Sequence, residues 1–155
     1  MAKKVKIDID FDRDNSLVGI SCHRKDYWVA YKLNETLKIH LKRTEDIPVY
    51  NKKLDELIYY PLYFYHDPDC EVNFYLLINH NKKVKLFPSE KTTDYFLLIN
   101  GQVSEKFLQD KVKKIKTIPN VLMAFEIGLS KIKVIDNFLE DLELHMLEVS
   151  KKMKG

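Results

Sequence analysis

Four side chains that commonly bind metal ions lie close together in the segment HDPDC. They are His66, Asp67, Asp69 and Cys70, and they would form a metal site if they converged on one point. The same residues are typical of a tight turn, because Asp side chains accept hydrogen bonds from the backbone that follows them and Pro68 fixes one dihedral. We therefore interpret the segment as a turn between strands and predict no metal site.

A second pair of reactive residue types is Cys22 and His23, which would be the nucleophile and base of a cysteine enzyme. Adjacent strand residues point to opposite faces, so an extended segment keeps these side chains apart. Near the amino terminus, alternating aspartates would attract a cation; they are Asp8, Asp10 and Asp12. They lack the glycine and distal glutamate of a calcium loop, which favours a solvated acidic edge.

The sequence also lacks the longer motifs of catalysis. It contains no glycine-rich phosphate loop, dinucleotide fingerprint, nucleophile elbow or paired-histidine zinc motif. We therefore predict that the protein is not an enzyme and has no cofactor. Its 26 basic and 23 acidic residues leave a net charge of +3, which by itself selects no class of partner.

An aromatic run beside lysines is a candidate surface for stacking nucleic-acid bases. The candidate RNA contacts are Tyr63, Tyr65, Lys82, Lys83 and Lys85. The alternative is that the aromatic residues form cross-strand pairs, which stabilise a sheet by about 0.2–1 kcal/mol each. Further lysines would bind phosphate or offset the dipole of a predicted helix; they are Lys111, Lys113, Lys114 and Lys116.

Length and composition predict one domain spanning 1–155. The chain has 155 residues, of which 45% are hydrophobic, enough for one core. No apolar run approaches the roughly 18 residues that cross a bilayer. The amino-terminal segment lacks the apolar stretch of an export signal, and two cysteines without metal-type spacing suit a reducing compartment. We expect a cytoplasmic protein with no membrane contact.

Hydrophobic periodicity predicts two strand-helix-strand units with antiparallel strands between them. The first unit comprises a strand, a helix and a strand at 17–22, 25–37 and 39–42. The middle strands flank the HDPDC turn and end near Pro88. In the second unit, strands at 94–99 and 121–127 flank a helix capped by Ser104. The predicted class is α+β, with a mixed or antiparallel sheet, a long carboxy-terminal helix and a ferredoxin-like arrangement as one alternative.

The segment FPSEKTTDY connects two predicted strands. Proline cannot donate a ladder hydrogen bond and so ends the preceding strand at Pro88. Side chains that can bind the crossing backbone follow it, at Thr92, Thr93 and Asp94, before Tyr95 enters the sheet. These residues are therefore predicted to have a structural role.

The same segment resembles the signature of the IPExxxVDY family, a group of uncharacterised proteins of Bacteroidetes bacteria. Pro88, Asp94 and Tyr95 match the signature, and Phe87 stands at the position of its isoleucine. Ser89 and Thr93 depart from the family's glutamate and valine. Other segments that look similar cover most of the chain. Because the family has no assigned activity, the resemblance implies no catalytic residues.

The carboxy-terminal helix, predicted at 135–153, carries apolar residues at alternating spacings of four and three. This heptad seam consists of Ile135, Leu139, Leu142, Met146, Val149 and Met153. Such a seam suits either a second helix or the protein's own sheet. The first half of the helix is acidic and its end is basic, which favours antiparallel pairing of two copies. We predict a homodimer, with Phe138 and Leu144 binding the helix to its own domain.

Three functional hypotheses follow from the sequence. The first is a non-enzymatic cytoplasmic interaction or regulatory domain with an unidentified protein partner. The second is an RNA-binding accessory protein. The third is a sensing module of the ACT-like kind that binds a small molecule, a hypothesis that rests on fold analogy.

Overall fold

The computed structural model of the protein describes residues 14–154, and side chains for residues 14–152. The strands are β1 (Asn15–Cys22), β2 (Lys42–Asn51), β3 (Glu56–Asp67), β4 (Val72–Ile78), β5 (Tyr95–Asn100) and β6 (Val121–Ile127). The helices are α1 (Asp26–Leu37), α2 (Glu105–Lys116) and α3 (Ile135–Lys154), and a 3-10 turn lies at Leu129–Lys131. Asp8, Asp10, Asp12 and the side chain of Met153 lie outside the described residues.

The strands form one six-stranded sheet in the order β2-β3-β4-β5-β1-β6. Every neighbouring pair is antiparallel. Because β1 lies between β5 and β6, the β5-α2-β6 unit is a split strand-helix-strand motif, as in ferredoxin-like folds. A three-stranded meander, β2 to β4, extends the sheet on its other side. The predicted α+β class is confirmed.

Helices cover both faces of the sheet. One apolar cluster joins the sheet to α1 and α2, which contribute Val29, Leu33, Leu108, Val112 and Ile115. The cluster on the opposite face joins the sheet to α3 and to the loop between β4 and β5. The protein is therefore a three-layer structure with two cores. None of the helices within 14–154 has the length and apolar character needed to cross a membrane.

Three predicted strand boundaries are wrong, and at two of them an asparagine side chain binds the backbone in place of a neighbouring strand. Residues 39–41 precede β2, since Asn34 bonds to both the N–H and the C=O of Leu41. The same strand, predicted to end at 42, continues to Asn51. The lysine-rich segment before Pro88 is a loop, since the Phe87 N–H donates to Asn79 Oδ1 at 2.8 Å. By contrast, the predicted cap of α2 is confirmed: Ser104 Oγ accepts from the Phe107 N–H at 3.0 Å.

The heptad seam of α3 faces the protein's own sheet, so the prediction that it faces a second copy is wrong. Ile135, Leu142 and Val149 are buried, and Leu139 and Met146 pack against the same cluster. Phe138 is buried beside them, as predicted, whereas Leu144 is 62% exposed. Apolar residues at heptad spacing can pack on the face of a sheet as well as on a partner helix.

Leu142→Ala is expected to lower the free energy of unfolding by about 2–3 kcal/mol, because it removes buried apolar contacts beside a solvent-accessible groove. Leu144→Ala is the matched control on the same helix and should change it by less than about 0.5 kcal/mol. Urea denaturation measures both values. Equal effects of the two substitutions would contradict the described packing of α3.

A candidate interaction surface at the sheet edge

β6 forms one edge of the sheet, and its outer side has no neighbouring strand within residues 14–154. The strand follows Asn120, which adopts a positive φ of 77°, and it ends before Gly128. Its sequence VLMAFEI is rich in residues that favour strands and contains a single charged residue, Glu126. The outer backbone groups of an exposed edge strand are a template for another strand.

Two large apolar side chains are exposed at this edge. Leu122 is 63% exposed and Met123 is 56% exposed. The pairing of β1 with β6 shifts register at Leu122, so the regular part of the edge is Met123–Ile127. This regular segment is long enough to pair with a second strand.

The side chains of Phe125 and Ile127 lie over β1 because Gly19 leaves room for them. A Cβ atom at Gly19 would lie 2.7 Å from Ile127 Cδ1 and 3.1 Å from Phe125 Cζ. Gly19 pairs directly with Phe125 in the ladder. Because Gly19 has no side chain, these two β6 side chains can pack closely against the sheet, on the face that carries α3.

The opposite edge, formed by β2, is protected in several ways. β2 contains Pro48, and its pairing with β3 is interrupted between Thr44 and Ile47. The Glu45 carbonyl oxygen lies 3.0 Å from His145 Nε2, and Lys152 Nζ donates to Glu45 Oε1 at 3.0 Å. Such features prevent edge-to-edge pairing. The regular part of β6 contains no proline and no register shift, and among the described residues no helix side chain forms a hydrogen bond to its backbone.

A polar stripe on α2 runs beside the β6 edge. It consists of Glu105, Gln109, Lys113 and Lys116, which recur at helical spacing. Gln109 Nε2 lies 2.9 Å from Glu105 Oε1 and 3.4 Å from Glu126 Oε1, which places the stripe on the β6 side of the helix. The stripe is acidic at the start of α2 and basic at its end.

The two carboxylates at the acidic end are crowded. Desolvation raises the pKa of Glu126 above its ordinary value, and the charge of Glu105 and a hydrogen bond to it raise that pKa further. Within the described residues, no lysine or arginine forms an ion pair with either carboxylate. A positively charged group near this end of β6 would therefore interact favourably with the two carboxylates.

The segment considered as a metal site is a turn, and the pair Cys22 and His23 lies at the end of β1. Asp67 Oδ1 accepts from the Asp69 N–H at 2.9 Å and from the Cys70 N–H at 3.4 Å, as expected of a turn. Cys22 is buried whereas His23 is exposed. In the part of the chain that the structure describes, no three His, Cys, Asp or Glu side chains are grouped closely enough to hold a metal ion.

The predicted RNA-contact residues are not brought together. Tyr63 is buried on the α1 face, where its hydroxyl donates to Asp26 Oδ2 at 3.0 Å and burial raises its pKa to about 12. Tyr65 packs against the same cluster. The lysine-bearing loop packs on the opposite face through Val84. The sheet therefore separates the tyrosines from the lysines, and Tyr63 cannot stack on a base.

The signature segment connects β4 to β5 and is buried at its ends, Phe87 and 93–95, whereas Pro88, Ser89, Lys91 and Thr92 are exposed. Of the three side chains predicted to bind the crossing backbone, that of Asp94 is seen to do so. Asp94 Oδ2 accepts from the Cys22 N–H at 2.8 Å, and the Tyr95 hydroxyl donates to the Arg24 carbonyl at 2.5 Å. Ser21 Oγ donates to the Thr92 carbonyl at 2.8 Å. Phe87 is buried and contacts α3.

Sequence reasoning missed two residues that hold this connector in place. Asn79 is buried, and its amide binds three backbone groups of the loop. His80 Nε2 lies 2.5 Å from Asp94 Oδ1. The signal for them was weak, because an asparagine-histidine pair after an apolar strand reads as the start of an ordinary loop.

A groove of about 670 Å³ separates α3 from one end of the sheet. Cross-strand amides form part of its wall: Asn73 Nδ2 donates to Asn100 Oδ1, and Asn100 Nδ2 donates to Asn15 Oδ1, both at 3.0 Å. Tyr75 also lines the groove; burial, with a smaller contribution from Glu143, raises its pKa to about 12.

Comparison with known proteins gives no relative from which the fold or the β6 edge could be interpreted. No protein-family model, curated protein or solved structure matches the sequence or the fold. Membership of the IPExxxVDY family therefore stays a prediction.

Proposed function

We propose that this chain is a non-enzymatic interaction domain that pairs the outer edge of β6 with a strand of a partner. The observation that carries the proposal is the exposed edge at Met123–Ile127, flanked by exposed Leu122. Strand addition to such an edge supplies main-chain hydrogen bonds, and neighbouring side chains supply specificity. The protected β2 edge supports the view that the open β6 edge is a binding surface.

Burial of the exposed side chains would provide part of the affinity. Full burial of a leucine or methionine contributes about 1.5–3 kcal/mol relative to exposure. Leu122 and Met123 are each more than half exposed, so each retains much of this free energy for association. A partner that pairs with β6 would cover both residues.

Photo-crosslinking tests the proposal. We expect a benzophenone side chain placed at Leu122 or Met123 in the native cell to crosslink to an extended segment of a protein, identified by mass spectrometry. The same group at Leu54, an exposed residue of the β2–β3 hairpin, is the matched control. Met123→Lys should abolish the product formed from Leu122, because a lysine on an edge strand opposes pairing. Equal yields from Leu122, Met123 and Leu54 would contradict the proposal.

The groove beneath α3 supports a second candidate function, the binding of a small organic cation in the manner of a sensing module. Its volume is typical of ligand pockets, and its amides are fixed by the cross-strand hydrogen bonds. Glu140 and Glu143 at its margin favour a positive charge.

A thermal-shift screen with small amines and guanidines tests this candidate. A ligand that binds the folded state raises the melting temperature with concentration. Glu143→Gln should weaken that shift, whereas Glu148→Gln, an exposed change on α3 outside the groove, should not. A screen without a stabilising compound would remove this candidate.

A further inference from the structure

The charges beside the β6 edge indicate which kind of strand it pairs with. We propose that the partner is a second copy of this chain, with two β6 strands antiparallel across a two-fold axis. This inference rests on the proposed function of the β6 edge and specifies its occupant. It replaces the carboxy-terminal seam, which is buried, as the route to a homodimer.

The charge order of α2 is self-complementary under such an axis. A two-fold rotation reverses the stripe, so Glu105 of one copy faces the partner subunit's Lys116 and Gln109 faces the partner subunit's Lys113. The crowded carboxylates at the acidic end would thus meet lysines. A second copy brings the basic end of α2 together with its β6 strand.

The position of the axis follows from the contact between Gln109 and Glu126. The midpoint of the stripe lies between one and two residues beyond Gln109 along α2, which is about 2–3 Å at roughly 1.5 Å per helical residue. Since a strand residue spans about 3.3 Å, this distance corresponds to less than one position along β6. The axis therefore passes close to Phe125, the centre of the regular segment Met123–Ile127.

The side chains of β6 suit this register. With the axis at Phe125, Met123 faces the partner subunit's Ile127, and Phe125 faces its own equivalent. All three residues are apolar, and Phe125 and Ile127 belong to the cluster on the α3 face. The interface would extend that core across the two-fold axis, with the charged stripes on the other face.

Sedimentation of the full chain with charge-reversed variants tests the inference. We expect the wild-type protein to be dimeric at micromolar concentration. Glu105→Lys and Lys116→Glu should each weaken dimerisation by about tenfold, because the symmetry places the altered pair twice in the interface. The double variant should recover most of the loss, because it restores opposite charges. Lys114→Glu, at the same end of α2 but off the stripe, is the control for the helix dipole and should leave dimerisation unchanged within about twofold.

Three results would overturn the inference. The first is a wild-type protein that is monomeric at high micromolar concentration, and the second is a double variant whose dimerisation is weakened as much as the two single variants together. The third is a crosslink from Met123 to residues 1–13 of the same chain. Circular dichroism of each variant separates unfolding from loss of the interface. If the protein is monomeric while Leu122 and Met123 crosslink to a strand of another protein, the proposed function stands and only the identity of the occupant is wrong. If those crosslinks are also absent, both fail.

Discussion

Asn79→Ala is expected to lower the free energy of unfolding by about 3–5 kcal/mol, because it leaves buried backbone groups without partners. Asn79 is fully buried. Its Nδ2 donates to the carbonyl oxygens of Glu90 and Thr93 at 3.0 and 2.8 Å, and its Oδ1 accepts from the Phe87 N–H at 2.8 Å. One side chain thus replaces the strand ladder that the loop from β4 to β5 lacks.

Asn81→Ala is the matched control, two residues along the same loop. Asn81 is only partly buried and forms a 3.2 Å bond to the Tyr59 carbonyl and a 2.8 Å bond from the Lys83 N–H, both exposed. Its removal should cost less than about 1 kcal/mol. Urea denaturation of both variants measures the difference. An Asn79 variant as stable as the Asn81 variant would contradict the role assigned to this amide.

Phe87→Ala is expected to lower the free energy of unfolding by about 3–5 kcal/mol, because it opens a cavity in the core beneath α3. The Phe87 ring lies 5.0 Å from the Phe96 ring and 5.3 Å from the Phe138 ring, centroid to centroid, both in edge-to-face geometry. Phe96 belongs to β5 and Phe138 to α3, so this one residue joins the connector, the sheet and the helix.

Phe87→Leu retains part of the volume and should have a smaller effect than Phe87→Ala. Tyr59→Ala, which removes a ring that is more than half exposed, serves as the surface control and should have little effect. Thermal denaturation compares the three variants. Little loss of stability in Phe87→Ala would show that the connector does not hold α3 against the sheet.

Most helices and strands were predictable because the caps and hydrophobic periodicity of their sequences agree with the way they pack in the fold. Ser104 caps α2 as its position before an amphipathic segment predicts. Two of the boundaries that failed depend on the side chains of Asn34 and Asn79, which accept hydrogen bonds from the backbone N–H groups of Leu41 and Phe87, seven and eight residues further along the chain. Periodicity does not detect a side chain that takes the place of a strand.

The orientation of α3 was not predictable from its heptad spacing. A sheet face and a second helix both accept a narrow apolar stripe, and the choice depends on which surface the rest of the chain provides. Here Leu17, Phe96 and Leu98 on the sheet receive the buried side chains of α3. The sequence pattern was correct, but its interpretation as a dimer seam was wrong.

The β6 edge was missed because a nearly continuous apolar strand is typical of the centre of a sheet. VLMAFEI reads as a buried strand, yet the strand order places it at the edge. An edge strand with one charge and no proline is unusual, and it becomes recognisable only when the order of the strands is known.

Amide hydrogen exchange on the full chain tests the pairing of β6 most directly. Exchange at Met123–Ile127 should slow as the protein concentration rises, because the outward amides of β6 become hydrogen-bonded in the dimer, whereas exchange in β2 should not change. Met123→Lys should remove the concentration dependence. Exchange in β6 that is equal at low and high concentration would contradict the pairing of this edge with a second copy.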